Sequence, residues 1–133
     1  MSIKTTTTWI TGQEFEAEHE GNRIKIDGNK ESGHGPKALL LSGLAGCSGI
    51  DVVDILKKKR VSFSDFSIEV ETEQTDEHPK VFKDITITYR IKMDPENEDK
   101  LKKAVELSLD KYCGVSAMLK KNSPIHYKLE LLK

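Results

Sequence analysis

The chain has 133 residues, of which 36% are hydrophobic, 32% are charged and two are cysteines. That length suits a single domain over residues 1–133, long enough to bury about two-thirds of its unfolded surface, and the composition is that of a soluble globular protein. Lys and Arg number 21 against 22 Asp and Glu, which argues against a nucleic-acid surface, where a clustered basic excess is expected.

The first residues, MSIKTTTTWITG, lack the charged and apolar regions of a signal peptide, so a cytoplasmic location is expected. Ile3 to Trp9 is threonine-rich and favours a strand, which Gly12 breaks. Phe15, Ala17 and His19 alternate with four glutamates, the period-2 pattern of a half-exposed strand. Gly21-Asn22 turns the chain into Arg23 to Ile26, closed by Asp27-Gly28, and an antiparallel meander is the natural assembly.

After a polar, glycine-bearing loop, Pro36 suits the first turn of a helix. The run from Pro36 to Arg60, PKALLLSGLAGCSGIDVVDILKKKR, is the longest apolar stretch. It is apolar almost all round from Ala38 to Ile50, which predicts a buried central helix. Its glycines and its polar Ser42, Ser48, Asp51 and Asp54 argue against a membrane span. The cations at 57–60 complement the helix C-terminus and stay solvated.

Alternation at Phe66 to Thr72 and again at Ile85 to Met93 predicts a hairpin with one packed face and one wet face. Asp94-Pro95 starts an amphipathic helix whose stripe is Leu101, Val105 and Leu109, with Ala104 and Ser108 beside it. Tyr112-Cys113-Gly114 breaks it, a short helix is expected over 115–121, and Ser123-Pro124 leads into a last strand at 125–131.

Two thiols are the chemistry candidates, and in a reducing compartment they are not expected to form a structural disulfide. Cys47 lies about three turns into its helix, too far for the dipole to act on it, and Asp51 at i+4 disfavours a thiolate. If Cys47 is reactive, a cation or hydrogen-bond donor must come from another element. Gly43, Gly46 and Gly49 around it point to close approach by a second helix or by a substrate, readings that are compatible. Cys113, at a helix break, could meet free backbone N–H groups or could be a buried small side chain. The 65 residues between the cysteines say nothing about their proximity. His19, His34, His78 and His126 show no metal-ligand spacing, GLAGCSG lacks the Lys-Ser/Thr of a phosphate loop, and neither metal nor cofactor is expected.

The block GPKALLLSGLAGCSGIDVVDILKKKR, with KYCGVS about fifty residues later, resembles the OsmC/Ohr family of osmotically inducible and organic-hydroperoxide-resistance proteins. The resemblance runs the length of the chain and is nearest to the YhfA-like branch. It implies an α+β fold, with antiparallel sheets packed on a long central helix, in an intertwined homodimer with sites at the interface. By motif, Cys47 would attack a hydroperoxide and become a sulfenic acid. Cys113 would then condense with it to a disulfide that an unidentified dithiol reduces. The hydroperoxide-reducing branches carry a glutamate where this chain has Lys37, an arginine from the N-terminal strands where Arg23 is the only candidate, and a proline where Gly114 stands.

The expected function is thus thiol-dependent reduction of organic hydroperoxides or hydrogen peroxide in oxidative-stress defence, with no nucleic-acid or membrane partner. The alternatives are an OsmC-like binding or redox-sensing module without efficient peroxidase activity, and an interaction protein whose glycine-lined helix serves only to dimerise.

Overall fold

The N-terminal alternation does produce a meander. In the computed structural model, which describes residues 1–133, contacts divide the chain into two compact units, Met1–Leu40 and Leu41–Lys133. In the first, strands β1 (Thr6–Thr11), β2 (Glu14–His19) and β3 (Asn22–Asp27) form an antiparallel sheet in that order. Strand β1 begins at Thr6 rather than at Ile3. The β2–β3 turn places both Glu20 and Gly21 at positive φ, 48° and 83°, the conformation that a two-residue hairpin loop requires. The buried Asp27 organises the next loop: its carboxylate accepts the N–H groups of Asn29, Glu31 and Ser32. Those bonds to the charged form hold its pKa below the ordinary value.

Helix α1 (Pro36–Lys58) starts at the proline, as the sequence predicts. It ends in a Schellman motif: Val61 N–H bonds Leu56 O and Arg60 N–H bonds Lys57 O, each at 3.0 Å, with Arg60 at φ 58°. The helix differs from its sequence reading in one respect. Leu44, Ser48, Val52 and Leu56 are its buried residues, a single stripe at i, i+4, i+8 and i+12. Leu40 and Ile50 remain 51% and 65% exposed. By length and composition α1 could cross a membrane, and 22% of its most apolar window is buried in this chain. An all-round apolar helix thus has only one face covered by its own chain.

In the second unit, β4 (Phe63–Gln74) and β5 (Phe82–Met93) form the expected antiparallel hairpin, and β6 (Ile125–Leu132) adds beside β5. The last pairing corrects the expectation of purely antiparallel sheets. Strand β6 runs parallel to β5, with Ile85 opposite Ile125 and Lys92 opposite Leu132. A parallel neighbour needs a crossover connection, and here it comprises a 3₁₀ turn (Pro95–Asn97), α2 (Glu98–Leu107), a π-helical turn (Ser108–Tyr112) and α3 (Gly114–Lys120). Asp94 caps the start, its carboxylate accepting Glu96 N–H at 2.9 Å.

The core of this unit takes the inward face of β5 (Ile85, Ile87, Tyr89, Ile91, Met93), the α1 stripe, and Leu101, Ala104, Val105 and Leu109 from α2 and the π turn. Fully burying side chains of this kind is worth about 1.5–3 kcal/mol each, and Cys113 closes the cluster at the C-terminal end of the π turn.

Candidate functional site

The site is built where α1 meets the π turn. Cys47 follows Gly46 and precedes buried Ser48, and it is partly buried against the core. Cys113 is 3% exposed and caps α3, its Sγ accepting Ser116 N–H at 3.3 Å. Its own N–H bonds Ser108 O at 2.7 Å, five residues back, so the wide π turn delivers this thiol into the core.

Both thiols are free, and the fold makes them neighbours. The Cys113 pKa is pushed up from 9.0 to about 11, first by burial and second by hydrogen bonding with Cys47, with the charges of Cys47 and Asp51 adding to the effect. A hydrogen bond donated by the neutral thiol favours that form. The Ser116 N–H acts in the opposite direction, as a free backbone donor should, and is outweighed. The two possibilities open for Cys113 are therefore both realised, and burial dominates. At neutral pH Cys113 is a thiol.

Beneath the pair lies a chain of buried hydroxyls that the sequence did not reveal. Tyr89 Oη and Ser48 Oγ are 2.6 Å apart, Ser48 Oγ and Ser108 Oγ 2.9 Å, and Ser108 Oγ and Asp51 Oδ2 2.9 Å. Each hydroxyl carries one proton. The Ser108 hydroxyl faces both Ser48 Oγ and the Asp51 carboxylate, the strongest acceptor of the chain, and either hydroxyl can donate in the Tyr89–Ser48 bond. Burial is the main reason that the Tyr89 pKa rises to about 12; the Ser48 bond opposes it, and the nearby Cys113 and Asp51 charges add to it. Unbonded, such buried groups would each cost about 1–3 kcal/mol; here every one is bonded. The signal for this network was faint: Ser48 and Asp51 stand out as polar residues in an apolar helix, but Tyr89 and Ser108 are ordinary members of a strand and of an amphipathic helix.

The glycines divide. A Cβ at Gly49 would lie 3.0 Å from Ile68 Cδ1, so this glycine lets β4 approach α1. A Cβ at Gly43 or Gly46 would meet open space. An open groove of about 490 Å³ runs along this side, lined by residues that include Gly46, Ile50, Asp54, Phe66 and Ile68; neither cysteine lines it. No three metal-ligating side chains converge. His19 rests near Lys4 O and Glu20, the His34 carbonyl accepts Asp27 N–H, and His126 pairs with Asp84 at 2.8 Å.

Residues 28–128 match the family model described as OsmC-like protein. Protein YhfA of Escherichia coli strain K12 is 32% identical over 126 residues, 93% of this chain and 94% of that protein. Among solved structures, an OsmC-like protein from Mycoplasma pneumoniae superposes with a TM-score of 0.85 at 18% identity, covering 100% of this chain and 99% of that one. The organic hydroperoxide resistance protein OhrB of Bacillus subtilis superposes with a TM-score of 0.65 at 18% identity, covering 98% of each chain.

Proposed function

The chain belongs to the OsmC-like protein family, and on that premise we propose that it is a thiol-dependent peroxidase of oxidative-stress defence, reducing organic hydroperoxides or hydrogen peroxide through Cys47 and Cys113. The observation that carries this reading is the meeting of two free thiols with unequal settings, one partly exposed and one buried as a neutral thiol. Cys47, the accessible sulfur, attacks the O–O bond as thiolate. The proximal oxygen stays on sulfur as a sulfenic acid, and the distal oxygen leaves as alkoxide, which a proton converts to the alcohol. The Cys113 sulfur then attacks the Cys47 sulfur, the S–OH bond breaks, and the hydroxide leaves as water with the Cys113 proton. An external dithiol reduces the disulfide, and the cytoplasm is the compartment proposed.

Activation of Cys47 calls for a cation, since Asp51 is the charged group that its own helix brings to the pair. We propose that the working form is a homodimer in which a second copy covers the open face of α1. Support comes from the exposed Leu40 and Ile50 and from the empty space over Gly43 and Gly46.

A second reading, a binding or redox-sensing module with slow thiol chemistry, draws on Lys37 standing in place of the glutamate and on the high Cys113 pKa. Single turnover separates the two. With one equivalent of cumene hydroperoxide, loss of both titratable thiols within seconds, followed by turnover on addition of a dithiol, is the result expected of the peroxidase. Thiols that persist for hours exclude it and leave the sensing module.

A further inference from the structure

Ser108 is bonded to both cysteine-bearing segments at once. Its carbonyl accepts the Cys113 N–H at 2.7 Å. Its hydroxyl lies 2.9 Å from Ser48 Oγ, on the residue after Cys47, and 2.9 Å from Asp51 Oδ2, one turn further along α1. Ser108, Ser48 and Tyr89 are all fully buried, so water does not compete for these bonds.

The location gives the contact its meaning. Ser108 opens the π turn, the segment whose extra residue carries the chain out to Cys113. Leu101, Ala104, Val105 and Leu109 supply apolar contacts from this crossover to the core, and the side-chain bonds of Glu106 with Tyr127 Oη, and of Asn122 and Ser123 with Phe82 O, run to the sheet rather than to α1. Apolar packing tolerates a slide of a fraction of an ångström; a hydroxyl within hydrogen-bond reach of two groups on one helix does not. Buried hydroxyls add little net stability over well-packed apolar groups, so a cluster that joins the two cysteine-bearing segments fits a role in geometry.

We propose that Ser108, bonded to Asp51 and Ser48, is a positioning residue that holds the Cys113 turn at the distance from α1 at which its sulfur can reach the oxidised Cys47 sulfur. This rests on the peroxidase reading for its biological use, but the placement of the thiols is a property of the fold. The step it serves is the condensation already written, Cys113–SH with Cys47–SOH to give the disulfide and water. Intramolecular reactions of this kind depend steeply on approach, and a misplacement of about 1 Å can cost about a hundredfold.

The test measures the effective molarity of the Cys47–Cys113 disulfide by equilibrating the whole protein in glutathione redox buffers. Ser108→Ala is expected to lower it at least tenfold relative to wild type. Because that variant opens a buried contact and could fold poorly, Asp51→Ala and Asp51→Asn form a second arm. Both remove the charge beside Cys113, but the asparagine oxygen can still accept from Ser108, so Asp51→Asn should retain an effective molarity several-fold above that of Asp51→Ala. With hydroperoxide, Ser108→Ala and Asp51→Ala should lower the ratio of the condensation rate constant to the Cys47 oxidation rate constant by at least tenfold. A wild-type pair that forms no disulfide in glutathione buffer, or effective molarities equal across wild type, Ser108→Ala and Asp51→Ala, would overturn the proposal. A disulfide that forms and depends on Ser108 in glutathione buffer, but never appears with hydroperoxide, supports the positioning role and sinks the peroxidase reading alone.

Discussion

Tyr89 and Ser48 meet at 2.6 Å in the interior, the phenol from the central strand β5 and the hydroxyl from the α1 residue beside Cys47. Both are fully buried, so each is the other's substitute for water. Removing Ser48 strands the Tyr89 hydroxyl, whereas removing that hydroxyl leaves Ser48 bonded to Ser108.

That asymmetry predicts a non-additive cycle. Ser48→Ala leaves the Tyr89 hydroxyl buried without this partner and should cost about 1–3 kcal/mol. Tyr89→Phe removes the buried hydroxyl itself and should cost about 1 kcal/mol. The double variant should be less destabilised than the sum of the singles, measured by urea denaturation. Additive losses would mean that the contact does not operate in the folded protein.

The fold is legible in the sequence where the signal is local. The alternation of Ile85, Ile87, Tyr89, Ile91 and Met93 marks β5, Pro36 marks the start of α1, and Asp94-Pro95 marks the crossover. The parallel placement of β6 was not legible, because Ile125 to Leu132 alternates in the same way whichever direction its neighbour runs, and pairing is decided by the connection. Nor were the α1 contacts: apolarity all round predicts burial, and the chain supplies cover for one stripe only. The meeting of Cys47 and Cys113 could not be read from 65 intervening residues; resemblance alone implied it. Ser108 was visible beside the apolar stripe of α2, yet its bonds to Ser48 and Asp51 depend on tertiary placement that no periodicity encodes.

Burial of Cys113 predicts a pH signature. Its pKa is raised from 9.0 to about 11 by folding, so the folded state binds its proton more tightly than the unfolded state does. The stability that this confers is fully present below about pH 9 and is lost as the pH rises through about 11. Tyr89, raised from 10.0 to about 12, extends the loss in the same direction. Melting temperatures should therefore fall across this window in wild type, and fall less steeply between pH 9 and 11 in Cys113→Ser. Parallel curves for the two proteins would contradict the assignment.

Open space over Gly46 gives the proposed homodimer a direct test. In an isolated protomer, Gly46→Ala should stabilise α1 by about 0.5–1 kcal/mol, since the new methyl meets nothing. Packed against a second copy, the same methyl should weaken the dimer. Sedimentation equilibrium is expected to show wild-type dimers and a higher dissociation constant for Gly46→Ala. A wild-type protein that remains monomeric at tens of micromolar, or a dimer indifferent to the substitution, would remove the basis for the proposed interface.

In the proposed function, Cys47 and Cys113 act on a hydroperoxide as one unit. Peptide mapping by mass spectrometry after one equivalent of cumene hydroperoxide tests it most directly. A Cys47–Cys113 disulfide within a single chain is expected, and in Cys113→Ser a dimedone-trapped sulfenic acid on Cys47. Recovery of both peptides with unmodified thiols, or oxidation confined to Cys113, would contradict it.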